Sequence, residues 1–249
     1  MNIVGIIQAR CNSKRLKNKI FTDVDGRPLI ERVVDRAKYV KSIDKVVVAT
    51  TTNIFDDRLA DWCASKGVEC FRGSESNVLE RYYDCAKFYN ANIVVRITAD
   101  DPFKDPVVVN HAIKLLIENN YDYVSNTIEP TFPEGLDVEV YKFKSLEVAF
   151  QNATLSSEKE HVTPYIWKNN NKFSLFNFVY KEDLSHLRWT IDYIEDLEFA
   201  RSVYRKMSKK KEHFLMEDIL CLLDEYPELS NIQKGVVRNE GYLESIKED

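Results

Sequence analysis

Glycine is scarce in this 249-residue chain, with seven in all, and proline is no commoner. Neither GxxxxGK[ST] nor GxGxxG occurs, which excludes a P-loop and leaves a dinucleotide site without its fingerprint. The five cysteines, Cys11, Cys63, Cys70, Cys85 and Cys221, are odd in number and scattered without CxxC spacing. They support neither a disulfide framework nor a zinc site, and a reducing cytoplasm is the expected location. The four histidines are far apart, with no HxH or HExxH pair. No stretch approaches the roughly 18 to 20 apolar residues of a membrane span, and no leader-like segment opens the chain. A broad basic stripe is also lacking: the net charge is -5 and the pI near 5.6. General nucleic-acid binding, which displaces counterions with such a stripe, is therefore not expected. No Pro/Gly/Ser-rich linker, internal repeat or low-complexity tract divides the chain.

At 44% hydrophobic and 30% charged, the composition suits one large α/β domain with a real core. Short β-rich runs at 3–7, 45–50, 68–71, 93–98 and 121–126 alternate with amphipathic segments at 28–40, 54–66, 77–90 and 106–119. In 28–40, Leu29, Ile30, Val33, Val34, Ala37 and Val40 recur at helical spacing, with Pro28 suited to a first turn. Val- and Ile-rich strands without alternation are buried on both faces, so the pattern predicts a mostly parallel, doubly wound sheet. The second half is less regular: strands at 137–141 and 173–180, helices at 143–153, 156–169 and 194–207. The expected organisation is one domain over 1–207 with a small insertion at about 127–187. A solvated helical extension is expected over 208–249.

In doubly wound sheets ligands sit beyond the carboxyl ends of the strands. The first such end is followed by QARCNSKRLKNK (8–19), which holds Arg10, Lys14, Arg15, Lys17 and Lys19 and no acidic residue. With no glycine in this loop, side chains must supply the charge for a phosphate; the plain alternative is a solvated cationic loop. The strand IVVRIT (93–98) runs into Asp100 and Asp101, where a carboxylate can ligate Mg²⁺ on phosphate oxygens, although paired aspartates before Pro102 also suit a turn. GLDVEV (135–140) and TIDYIEDLE (190–198) place further aspartates at or in strands, where an unpaired charge would be costly.

Taken in order, IIQARCNSKRLKNK, GRPLIERV, VVVATT, FRGSESNVLERYY, VVRITADDP, YDYVSN, EGLDVEV, EKEHVTPYI and RWTIDYIEDLE resemble the spore-coat polysaccharide biosynthesis protein F family of cytidylyltransferases over about residues 3 to 204. The resemblance implies a glycosyltransferase-A-like nucleotidyltransferase fold and kinship with synthetases of CMP-3-deoxy-manno-octulosonate and CMP-sialic acid. It implies CTP as donor, Mg²⁺ as cofactor, a small anionic acceptor (a sugar acid or phosphorylated compound) and pyrophosphate as the leaving product. It also allows a homodimer. By the same resemblance Gln8, Ala9, Arg10 and Ser13 bind nucleotide, Arg15 and Lys19 stabilise phosphate charge, and Asp100 and Asp192 hold the metal, Asp100 counting also as catalytic. Gly73, Ser74 and Arg81 border the base; Asp137, Glu139 and His161 face the acceptor. The loop NSKRLKNK departs from the family's usual GSTRLPGK, losing Pro and Gly and gaining Lys14.

For a hydroxyl acceptor, Asp100, Asp101 or a metal-bound water would serve as base. Competing readings are a nucleotidyltransferase for another base, a nucleotide-sugar glycosyltransferase and a catalytically silent scaffold. The glycosyltransferase normally binds its metal through DxD, a spacing that ADD lacks. Trp62, Trp167 and Trp189 read as core or interface residues.

Overall fold

The computed structural model describes residues 1–13, 15–211, 213–232 and 238–249; Lys14 lies outside the described residues. Seven strands form one sheet: β1 Ile3–Gln8, β2 Lys45–Thr51, β3 Glu69–Gly73, β4 Ile93–Thr98, β5 Tyr123–Ser125, β6 Glu139–Lys142 and β7 Leu175–Asn177. Their spatial order is β3-β2-β1-β4-β6-β5-β7. Every pairing is parallel except those of β6, which runs antiparallel to both β4 and β5. Ile3–Ile7 of β1 are buried on both faces, because helices cover the sheet on each side.

One face packs on α1 Leu29–Lys38, α2 Asp57–Ser65, α4 Pro106–Asn119 and α8 Ile194–Met207; the other packs on α3 Val78–Phe88, α5 Phe143–Asn152, α6 Ser156–His161 and α7 Pro164–Lys168. In α1 the expected stripe Leu29, Ile30, Val33, Val34 and Ala37 is buried, but Pro28 is the extended N-cap and stands outside the first turn. Asp105 caps α4, its carboxylate accepting the Val107 and Val108 N–H groups ahead of the Pro106 turn.

Several boundaries differ from the periodicity. The 54–66 segment opens with a 3-10 turn, Ile54–Asp56, before α2. The expected helix over 156–169 is two helices, since Val162 takes φ 72 between α6 and α7, a conformation that breaks a helix. The strand expected over 173–180 is paired only at Leu175–Asn177, and the one expected at 137–141 begins at Glu139, because Asp137 and Val138 are held by other partners.

The largest departure is the tail. Residues beyond 208 read as solvated, yet Phe214, Met216, Ile219, Leu222 and Leu229 are buried, most of them on α9 Met216–Glu225. Arg36 donates to the Phe214 carbonyl and lies 4.2 Å over its ring, while Asp105 accepts the Met216 N–H at 2.7 Å. The last segment, containing α10 Glu240–Ser245, returns across the carboxyl edge of the sheet. Among the described residues, no helix is long and apolar enough to cross a membrane.

Candidate active site

Parallel register sets Gln8 beside Thr98, so the loops after β1 and β4 leave the sheet side by side. A third segment meets them because of Gly135. Its φ is +100, and an added Cβ would lie 2.7 Å from the Trp189 carbonyl carbon and 2.8 Å from the Thr190 nitrogen. Only glycine tolerates both the backbone conformation and that approach. Trp189 N–H then donates to the Glu134 carbonyl (2.7 Å) and Ile191 N–H to the Asp100 carbonyl (2.9 Å), which delivers Asp192 to the same edge.

Four charged groups meet there. Lys19 Nζ donates to Asp100 Oδ2 at 2.9 Å and to Asp192 Oδ1 at 3.0 Å. Arg15 Nη2 donates to Asp192 Oδ1 at 2.7 Å, and its Nη1 to Glu240 Oε2 at 3.1 Å. The pairs Arg15, Lys19, Asp100 and Asp192, named from the sequence, are thus brought into one cluster. Burial pushes the Asp100 carboxyl up, but the Lys19 ammonium more than offsets it and holds the group at about 2. Burial works against the charge of Lys19 as well, and Asp100 and Asp192 together still leave its pKa raised.

Two residues unmarked in the sequence hold this cluster. Arg188 donates to Glu134 (2.6 Å), Asp192 (2.9 Å) and Asp196 (3.1 Å). Asp196 in turn accepts the Asp192 and Tyr193 N–H groups where α8 begins. The signal was present in RWTIDYIEDLE, where an arginine four and eight residues before two aspartates can grip both.

The other expected residues divide. Asp101 is buried and spent on structure: its carboxylate takes Thr98 Oγ1 (2.8 Å) and Lys104 Nζ (2.9 Å), so it is no base for the acceptor. Glu139 is likewise buried, accepting from Arg96, Tyr123 and Thr163, and Asp137 pairs with Arg238. His161 lies against Ser245 Oγ at 3.0 Å; burial, then the nearby Arg96 charge, lowers its pKa to about 4, so it is neutral at pH 7. All three border one cavity. Gln8, Ala9, Arg10 and Ser13 line a neighbouring cavity of about 370 Å³. Arg81 lines an adjoining one, where its Nε and Gln8 Oε1 are buried without hydrogen-bond partners. Gly73 ends β3, where an added Cβ would lie 3.0 Å from the Phe71 ring and 3.1 Å from the Arg81 side chain, and the Ser74 carbonyl accepts Arg81 Nη1 at 2.7 Å.

The returning C-terminal segment closes the far wall, which sequence reading left out. Arg238 grips Asp137, Asn239 N–H donates to Glu134 (3.0 Å), Tyr193 Oη donates to Glu240 (2.6 Å), and Ser157 Oγ donates to Asp249 (2.6 Å). No group of three or more metal-ligating side chains occurs among the described residues. Two carboxylate oxygens do converge, on the Lys19 ammonium. That donor set fits Mg²⁺, which commonly uses one or two carboxylates and takes its remaining ligands from phosphates and water.

A mostly parallel sheet with a cation-rich loop after β1 and facing carboxylates after β4 and before α8 defines a nucleotidyltransferase. Within that class the chain belongs to the cytidylyltransferase family, whose model matches residues 4–239. It is 39% identical to the uncharacterised protein MJ1063 of Methanocaldococcus jannaschii over 98% of this chain and 99% of that one. It is 30% identical to the spore coat polysaccharide biosynthesis protein SpsF of Bacillus subtilis, covering 91% and 96%. Among solved structures, a cytidylyltransferase from Leptospira borgpetersenii superposes with a TM-score of 0.88 at 32% identity, over 96% of this chain and all of that one. A CMP-2-keto-3-deoxy-manno-octonic acid synthetase complexed with CTP shares the fold, with a TM-score of 0.64 at 16% identity over 83% of this chain and all of that one.

Proposed function

We propose that this enzyme transfers CMP from CTP to a small anionic acceptor, a sugar acid or phosphorylated compound, releasing pyrophosphate for the synthesis of surface polysaccharide or glycoconjugate. The observation that carries the reading is the meeting of Arg15, Lys19, Asp100 and Asp192 at the carboxyl edge of the sheet. The relatives with polysaccharide and octulosonate names support the direction of the chemistry.

In nucleotidyl transfer an acceptor oxygen attacks the α-phosphorus in line while pyrophosphate leaves, and the main demands are alignment and charge neutralisation. Arg15 and Lys19 meet the second demand: when the triphosphate enters, its oxygens replace Glu240 and the two aspartates as their partners. Asp100 and Asp192, freed from Lys19, would hold Mg²⁺, which supplies positive charge at the phosphate oxygens. Gln8 Oε1, a buried acceptor without a donor, suits an amino group such as that of cytosine. A carboxylate or phosphate nucleophile is already ionised near pH 7, so no strong base is required, in keeping with the engagement of Asp101 by Lys104.

The test is thermal stability with Mg²⁺ and each of CTP, UTP, GTP and ATP, followed by pyrophosphate release with candidate acceptors. A selective rise with CTP is expected. A selective rise with another nucleotide would change the donor, and CTP binding without pyrophosphate release across sugar acids and sugar phosphates would favour a silent scaffold.

A further inference from the structure

Asp56 falls in no motif that the sequence singles out, yet it is a buried carboxylate tied to the first loop. It ends the 3-10 turn Ile54–Asp56 and directly precedes α2, where an aspartate ordinarily caps the helix through its side chain. This one makes no cap bond. The turn leaves Ile54 and Phe55 in solvent, 75% and 68% exposed, while Asp56 is only 2% exposed. Its Oδ1 accepts the Cys11 N–H at 2.7 Å, and its Oδ2 accepts the Thr51 N–H at 3.3 Å and the Thr51 hydroxyl. One carboxylate thus joins the loop after β1 to the end of β2.

That loop has little else to hold it. Its backbone pairs with β2 through the Ala9 N–H and the Ala49 carbonyl at 3.2 Å, and it next closes on itself where the Lys19 N–H meets the Leu16 carbonyl. Between those bonds, the Cys11 N–H makes the one backbone hydrogen bond found among the described residues. Arg10 and Ser13 flank Cys11, and together with Arg15 they border the cavity of about 370 Å³, which Asp56 does not touch. Burial pushes the Asp56 carboxyl up, but the Cys11 and Thr51 donors outweigh it and leave the group below its ordinary value. It is therefore an anion behind a cationic loop. Charge of that sign cannot attract a phosphate, so what Asp56 contributes to the loop is shape. The Cys11 thiol, pushed up to about 11 by burial and then by Asp56, stays protonated and is no nucleophile.

We propose that Asp56 is a positioning residue: it anchors the β1 loop through Cys11, so that Arg10, Ser13 and Arg15 are set for the triphosphate before nucleotide arrives. This deepens the cytidylyltransferase reading and rests on it. Ordering a loop is a cost that binding otherwise bears, and a bond already made in the free protein removes part of it. Thr51 completes the device, because its hydroxyl both donates to Asp56 and accepts the Asn53 N–H at 3.1 Å, which ties the turn carrying Asp56 to the end of β2.

Backbone amide hydrogen exchange in the full-length protein without nucleotide tests the anchor and needs no variant. The Cys11 amide should exchange about tenfold or more slowly than those of Asn12 and Ser13, the protection that one hydrogen bond to a charged group supplies. Equal rates would overturn the proposal. Asp56→Ala should remove that protection while the amides of β1 and β4 stay protected. It should also weaken CTP binding in the presence of Mg²⁺ by about tenfold or more, read by isothermal titration on the folded protein. Asp56→Asn, which keeps an oxygen for the Cys11 N–H, should recover most of the affinity. An unchanged CTP affinity in Asp56→Ala, with only the melting temperature lowered, would mean that the carboxylate serves stability alone and would overturn the proposal. Asp56→Asn binding no better than Asp56→Ala would assign the effect to charge and overturn it as well. Failure of the wild type to bind CTP would sink the transferase reading and this proposal with it, and the Cys11 exchange rate distinguishes that failure from a loop that Asp56 does not hold.

Discussion

Replacing Lys19 by methionine keeps most of the aliphatic stem and removes the one ammonium shared by Asp100 and Asp192. The two carboxylate oxygens it bridges, at 2.9 and 3.0 Å from Nζ, then face each other. At about 5–6 Å and an effective dielectric constant near 20, their repulsion is about 3 kcal/mol. Titration gives a figure of the same size: holding Asp100 at about 2 instead of 3.8 is worth about 2 kcal/mol of stability. Arg15 and Arg188 still grip Asp192 in the variant, so about 2 kcal/mol is the expected loss at pH 7. The sign of its pH dependence follows from the depressed carboxyl. In the wild type this contribution is fully present above the unfolded value of 3.8 and is lost as pH falls through about 2. The variant lacks it, so the gap between the two proteins should be widest near neutrality and close on acidification. Urea unfolding followed by tryptophan fluorescence at several pH values measures the gap, and millimolar Mg²⁺ at pH 7 should narrow it by binding the exposed pair. An equal gap at pH 7 and at pH 2 would show that Lys19 acts by packing alone and would remove the electrostatic basis of the site.

Asp100→Asn and Asp192→Asn should each lower pyrophosphate release by at least about 100-fold, the scale of removing one charge-stabilising group, with cooperative unfolding retained; full activity in the double variant would remove both from the metal site. Gly135→Ala should cost about 2 kcal/mol or more, because it combines a left-handed backbone with contact against the Trp189 and Thr190 backbone; a melting temperature equal to wild type would contradict that approach. Glu240→Gln removes the charge that competes for Arg15, so CTP should bind more tightly, a change that isothermal titration would detect. His161, neutral with a pKa near 4, makes the fold lose stability as pH drops from about 6.5 to about 4, where the unfolded chain alone is protonated. His161→Gln should flatten that stretch of the stability profile, and an unchanged slope would place the titration elsewhere.

The first half of the fold was legible because its strands are continuous Val and Ile runs and its helices carry a clear stripe; β4 and α4 fall where the pattern puts them. The second half was less so. β7 is three residues long and half-buried, and the break at Val162 depends on a backbone conformation that β-branched residues seldom adopt, which no hydrophobic period reveals. Arg15, Lys19, Asp100 and Asp192 could be named because charge in the first loop and at a strand end is conspicuous. Arg96 could not, because a charged residue within an apolar run gives no hint of its partner until the strands are paired, and Arg188 was signalled only by its spacing to Asp192 and Asp196. The tail misled for a related reason: KKK at 209–211 suggests solvent, while the apolar face that α9 buries begins only after it.

The cluster is arranged so that each cation proposed for the triphosphate is already neutralised from within. Lys19 is held by two aspartates, and Arg15 by Asp192 and Glu240. These bonds offset much of the cost of burying like charges at one edge of the sheet, and they keep the side chains near the positions that a nucleotide would need. On the proposed reading binding would be an exchange of partners: phosphates would take the cations as a divalent ion takes the carboxylates, with little change in net charge if both arrive together. A triphosphate arriving alone would leave Asp100 and Asp192 uncompensated, and a metal arriving alone would have to displace Lys19 into a site crowded with arginine. CTP and Mg²⁺ should therefore each stabilise the protein weakly when added singly and strongly when added together, with an excess over the sum of the separate shifts. Strictly additive shifts would mean that the two ligands do not meet at this cluster.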